Sequence, residues 1–165
     1  MPTNQITLRP ATRADLDFLD ELHSSAMRPH VERTHAWNPF LFRETFDVAN
    51  SQVIQFEGKD IGYLKIRREP ESLHLADIQL LEEYRNRGIG TWLIERILHE
   101  ASQAGLSVWL RVLKGNPAMR LYQRLGFKVC EEADRHHCMA WPASRGQPLN
   151  IKFSSMAHQL TATGI

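Results

Sequence analysis

The sequence predicts a single α/β domain, and three observations carry that prediction. Short runs of alternating strand type are interleaved with segments of helical apolar spacing. The run "LHLADIQLL" leads through a long amphipathic segment into "LSVWLRVL", the layout of a parallel crossover. No apolar run approaches the ~18 residues that a membrane helix needs, so the apolar residues serve a core.

Taken in order, "NQITLRP" alternates Ile6 and Leu8 with polar neighbours and meets Pro10, which suits a first strand. Thr12 is an N-cap with Asp15 three residues on, and the helix it opens carries Leu16, Leu19, Leu22 and Ala26, fading before Pro29. After the irregular "RPHVERTHAWN", Asn38 and Pro39 open a second helix that runs through Phe42 and Phe46 to Val48. "SQVIQFE" and "DIGYLKIRR" flank Gly58 as a hairpin, and "LHLADIQLL" continues the meander. From Ile89, the positions Leu93, Ile94, Ile97, Leu98 and Ala101 form one helical stripe that Gly105 stops. "LSVWLRVL" is a strand, and Asn116 and Pro117 then start a helix with Ala118, Leu121, Tyr122 and Leu125 on one face, ended by Gly126. "FKVCEEA" and "HHCMAW" pair as a last hairpin. The order is β-α-α-β-β-β-α-β-α-β-β, with residues 1–142 as the domain. Residues 143–165, rich in Gly, Pro, Ser and Thr, are expected to be a flexible tail.

Twenty basic against nineteen acidic residues give a formal net charge of +1. No global field calls for nucleic acid or an anionic membrane, so any anion recognition must be local. The N-terminus lacks the charged and apolar regions of a secretory signal, and a cytoplasmic location is expected. Cys130 and Cys138 are then free thiols. "CEEADRHHC" lacks the short cysteine pairs of a zinc site, and no metal is expected there.

The stretch "EEYRNRGIGTWLIERIL" sets Arg85, Arg87, Gly88 and Gly90 where a helix is about to start. A helix start leaves several backbone N–H groups unpaired and pointing one way, and its dipole favours an anion. Gly88 and Gly90 bare the backbone to a phosphate, while Arg85 and Arg87 add charge at the rim. A P-loop would require Gly-Lys-Ser/Thr, but Thr91 and Trp92 follow Gly90. A dinucleotide fingerprint would require a third small residue where Leu93 stands.

The turn, with Arg85, Asn86, Arg87, Gly88, Ile89 and Gly90, resembles the acyl-CoA pyrophosphate loop of the GCN5-related N-acetyltransferases, Arg/Gln-x-x-Gly-x-Gly/Ala. "NPAMRLYQRLGF", Asn116 to Phe127, resembles the same family's second signature at its spacing. The resemblance covers roughly residues 5 to 141. It implies a mixed central sheet of about seven strands flanked by about four helices. It also implies acetyl-CoA as co-substrate and direct transfer of the acetyl group to a primary amine in a ternary complex.

Carried over by resemblance, the amides of Arg87, Gly88, Ile89, Gly90 and Thr91 cradle the pyrophosphate. The backbone of Ile78 and Leu80 receives the pantetheine arm as an added strand, with the Leu80 amide as donor to the thioester oxygen. Asn116 contacts the arm, although an N-cap role explains it as well. Tyr122 is the general acid: a phenol with a pKa of about 10 can protonate a thiolate whose ordinary value is about 8.5. For the general base, His74 occupies the strand position that carries a carboxylate in some relatives, with Glu32 and His30 as rivals. The loop carrying His30, Glu32, Arg33, His35 and Trp37 is where the family builds its acceptor pocket. A small-molecule or amino-acid amine is the expected partner, and a homodimer, a peptide or lysine acceptor, and a non-catalytic acyl-CoA-binding module stay open.

Overall fold

The computed structural model describes residues 3–143, 151 and 163–164. Its seven main strands are β1 (Ile6–Pro10), β2 (Ser51–Phe56), β3 (Lys59–Arg68), β4 (Ser72–Leu80), β5 (Ser107–Leu113), β6 (Lys128–Glu132) and β7 (His136–Trp141). Its helices are α1 (Leu16–Val31), α2 (Leu41–Glu44), α3 (Ile89–Ala104) and α4 (Ala118–Arg124). Hydrogen bonding orders the strands β1-β2-β3-β4-β5-β7-β6. The expected α/β layout, including the parallel crossover from β4 through α3 to β5, is therefore present.

Two helices differ from expectation in their extent. α1 continues through Pro29 to Val31: proline forfeits its own N–H bond and crowds the carbonyl four residues back, yet Glu32 N–H still reaches the Arg28 carbonyl at 3.0 Å. The second helix shrinks to four residues, and Asn38 Oδ1 accepts the Phe40 N–H (3.0 Å) in the turn ahead of it. So short a helix has little stability of its own. Arg43 ties it to α1 through Asp17 (2.7 Å) and Asp20 (2.5 Å), while Phe42 and Phe46 pack inward.

The strands thread through two compact units. The first contains the described residues up to Lys65, together with Asp77–Gly90 and 163–164. Its β1, β2 and β3 form an antiparallel meander, and Ala11, Leu19, Leu22, Val53 and Tyr63 form a buried cluster with Phe18, Phe42, Phe46 and Leu81 packed against it. The short strand β8 (Thr163–Gly164) pairs in parallel with Ile78 and Gln79 of β4. The rest of the expected tail, apart from residues 143 and 151, lies outside the described residues.

The second unit holds Ile66–Ala76 and the described residues from Thr91 onward. Ser72–His74 of β4 pair in parallel with Ser107–Trp109 of β5. β7 lies antiparallel to both β5 and β6, and a register shift interrupts the β6 pairing between Val129 and Glu131. The α3 stripe of Leu93, Ile94, Ile97, Leu98 and Ala101 is buried as its 3.6-residue spacing requires. Among the described residues, no helix is long and apolar enough to cross a membrane.

Candidate active site

In the first unit, β4 ends at Leu80 and the chain passes through a 3₁₀ turn, Glu82–Tyr84, before α3 begins at Ile89. Asn86 (φ +56°) and Gly88 (φ +81°) adopt left-handed conformations that fold the backbone back toward the helix start. A Cβ on Gly88 would meet no heavy atom within 4 Å, so conformation rather than crowding is what selects glycine there. The first turn of α3 follows directly, and the leading N–H groups of a helix have no partner within the helix, the arrangement that suits an oxyanion. Arg85 is more than rim charge: its Nε donates to the Leu80 carbonyl (2.9 Å) and fastens the turn to the end of β4. Arg87 stands over the Tyr84 ring, as does Lys59, each 5.6 Å from its centroid. Gly62 on β3 has another role. A Cβ there would fall inside the van der Waals sphere of the Gln79 carbonyl oxygen and 2.9 Å from Leu80 Cδ2.

The same unit carries a polar cluster beside that strand. Tyr63 donates its hydroxyl hydrogen to Asp77 Oδ2, and His23 Nδ1 lies 3.3 Å from that oxygen and 3.2 Å from the Tyr63 oxygen. Gln79 Nε2 donates to Asp77 Oδ1 (3.1 Å). Burial, reinforced by the charge of Asp77, pushes the Tyr63 phenol well above its ordinary value, so it remains a donor. The His23 ring stacks on Phe42 at 4.5 Å, with Trp37 at 6.1 Å. Of the expected bases, Glu32 is exposed and paired with Arg28 (2.7 Å). His30 is half-buried, and burial followed by the charges of Arg33 and Arg85 lowers its pKa.

In the second unit, His74 is buried and lies flat on Trp109, with ring centroids 3.6 Å apart and planes 1° from parallel. Trp109 donates its indole N–H to Glu69 (3.1 Å). Asn116 is buried, and its Oδ1 accepts the Ala118 N–H (2.9 Å), the capping bond expected of it. Tyr122 is fully buried on α4, edge-on to Phe127 at 5.6 Å. Thr91 is half-buried in the first turn of α3. Cys130 and Cys138 are free thiols, and among the described residues no group of three His, Cys, Asp or Glu side chains could hold a metal ion.

A glycine turn feeding a helix within a parallel crossover, followed by a helix bearing a buried tyrosine, is matched by the model of the Acetyltransferase (GNAT) family over residues 16–127. The chain belongs to the GNAT family. An uncharacterized N-acetyltransferase of Methanocaldococcus jannaschii is 28% identical over 142 residues, covering 76% of this chain and 62% of that protein. The thialysine N-ε-acetyltransferase of Bos taurus is 39% identical over 69 residues, or 41% of each protein. This GNAT chain thus spans less than two thirds of the length of these curated relatives. Among solved structures, the PaiA N-acetyltransferase of Thermoplasma acidophilum in complex with coenzyme A shares the fold, with a TM-score of 0.69 at 17% identity over 83% of this chain and 98% of that one.

Sequence reasoning passed over His23, Asp77 and Tyr63. Two signals were available: a histidine bordering the apolar stripe of α1, and an aspartate in the middle of the otherwise apolar "LHLADIQLL".

Proposed function

We propose that this GNAT chain is an acetyl-CoA-dependent N-acetyltransferase acting on the primary amine of a small molecule. The observation that carries the reading is the Arg85–Gly90 turn, where Gly88 at φ +81° leads without a side chain straight into the first turn of α3. The amides of Arg87, Gly88, Ile89, Gly90 and Thr91 then hold the pyrophosphate, and the positive side chains of Arg85 and Arg87 make the potential around it more favourable to an anion.

The backbone of Ile78 and Leu80 receives the pantetheine arm as an added strand. The parallel pairing of Thr163–Gly164 with Ile78 and Gln79 supports this, because that stretch of β4 accepts an added strand, and the arm takes the place of Thr163–Gly164 there. The Leu80 N–H stabilises charge developing on the thioester oxygen. Asn116 orients the arm, and Tyr122 delivers a proton to the departing sulfur. Acetyl-CoA supplies the activated acetyl group, while the protein contributes position and proton placement. The bovine relative, named for acetylating thialysine at its ε-nitrogen, supports a small amine as acceptor.

The test is thiol release from acetyl-CoA over a panel of small amines, amino acids and peptides with free N-termini. Release with small amines is expected, and release with peptides alone removes the small-molecule acceptor. Binding of acetyl-CoA with no release on any member assigns the chain to a non-catalytic acyl-CoA-binding module.

A further inference from the structure

A transferase needs a group to take the proton from the ammonium form of its acceptor before the nitrogen can attack. The expected bases are otherwise occupied: Glu32 forms an exposed ion pair with Arg28, and His74 is buried in a flat stack on Trp109.

The cluster of His23, Asp77 and Tyr63 has the required construction. Tyr63 spends its hydroxyl hydrogen on Asp77, so both oxygens within reach of His23 Nδ1, Asp77 Oδ2 and Tyr63 Oη, present lone pairs. Nδ1 must therefore carry the hydrogen, which leaves the lone pair of the neutral ring on Nε2. Phe42 fixes the ring plane by stacking. The ring is not sealed, because the His23 side chain keeps 16% of its surface exposed.

The face of α1 that carries His23 also carries His30 seven residues on, about 10 Å further along the helix. Asp77, the partner of His23, stands three residues before Leu80 on β4, the residue whose amide is assigned to the thioester oxygen. The groups packed on His23 are Asp77 from β4, Tyr63 from β3, and the uncharged rings of Trp37 and Phe42. Arg43, the nearest cation on α2, is taken up by Asp17 and Asp20.

We propose that His23 is the general base for the acceptor amine, with Asp77 and Tyr63 as positioning residues that hold it in the tautomer basic at Nε2. The inference rests on the transferase reading above. His23 Nε2 takes one proton from the ammonium and passes it to solvent. The nitrogen lone pair then forms the C–N bond as the C–S bond breaks. The second proton lost by the nitrogen balances the one gained by the departing sulfur.

His23→Gln is expected to lower kcat about 100-fold, within the usual range for a general base, with acetyl-CoA affinity retained. Its rate is expected to climb about tenfold per pH unit with the fraction of unprotonated amine, closing the gap to wild type, because only pre-deprotonated acceptor reacts. Asp77→Asn is expected to show the same pH-dependent recovery, since an amide donor facing Nδ1 moves the hydrogen to Nε2. Nitrogen-detected NMR of the unaltered protein reads the tautomer without any variant: Nδ1 protonated and Nε2 bare is expected. An Nε2–H signal, or a His23→Gln enzyme with unchanged kcat and pH slope, overturns the proposal. If wild type releases thiol while His23→Gln does so equally well, only the role of His23 falls. If wild type releases none on any amine, the transferase reading falls and this inference with it.

Discussion

Gly88→Ala isolates the contribution of the turn's backbone. At φ +81°, an L-residue incurs roughly 1–2 kcal/mol of strain, and no steric clash adds to it because a Cβ there meets nothing within 4 Å. The unliganded variant escapes the strain by relaxing the turn, and acetyl-CoA binding must restore the strained form. Affinity is therefore expected to fall about 5- to 30-fold, at 1.4 kcal/mol per factor of about ten. A matched control stands at the other end of α3. Gly105 has φ +67° and equally open surroundings, but lies a 16-residue helix away, about 24 Å along its axis. Thermal unfolding with and without acetyl-CoA is the assay. At a concentration of about 100 Kd, the ligand contributes about 2.7 kcal/mol, a rise in Tm of about 5–11 °C for a chain of this size. Gly105→Ala is expected to lose baseline stability yet keep that rise, whereas Gly88→Ala keeps only about half of it. Equal rises in the two variants would refute the assignment of the Gly88 amides to the pyrophosphate.

Tyr122→Phe preserves the buried shape on α4 and removes only the hydroxyl, so kcat is expected to drop at least tenfold with acetyl-CoA affinity intact; unchanged turnover at saturating substrate excludes Tyr122 as the acid. Stability in acid is set partly by Asp15, whose hydrogen bonds from Arg9 lower its pKa from 3.8 to about 2. A carboxylate depressed in the folded state contributes stability above about pH 4 and loses it as pH falls through 2. Urea midpoints of wild type and Asp15→Asn are accordingly expected to differ at pH 5 and to draw together as pH falls toward and below 2; a constant gap contradicts the linkage.

The parts of the fold legible in the sequence are those governed by local periodicity. The α3 stripe from Ile89 to Ala101, the hairpin around Gly58 and the crossover from β4 to β5 each repeat one pattern over many residues. The boundaries that moved depend on single residues: Pro29 costs one hydrogen bond, which tertiary burial of Leu22, Ala26 and Met27 outweighs. Likewise, Arg85–Gly90 and Asn116–Tyr122 could be picked out because each is contiguous and carries its own turn chemistry. His23, Tyr63 and Asp77 could not be joined in advance. They lie 40 and 14 residues apart, and only the register of β3 beside β4 and the packing of α1 bring them together. Arg85 reads as free surface charge for a related reason, since its partner, the Leu80 carbonyl, is a main-chain atom with no signature in the sequence.

Gly62 belongs to neither family signature and needs no left-handed backbone, yet the space for its side chain is taken by the Gln79 carbonyl and the Leu80 side chain. β4 can hold its place only while β3 presents bare backbone opposite it. Even one methyl group at position 62 would have to push aside the strand whose neighbouring amides are assigned to the acyl arm. Transplanting the glycine turn alone onto another sheet would therefore carry over an anchor for the phosphates without the clearance that seats the acyl end. The working unit of inheritance in this chain extends to a strand residue that a motif search, reading only the turn and α4, would treat as interchangeable.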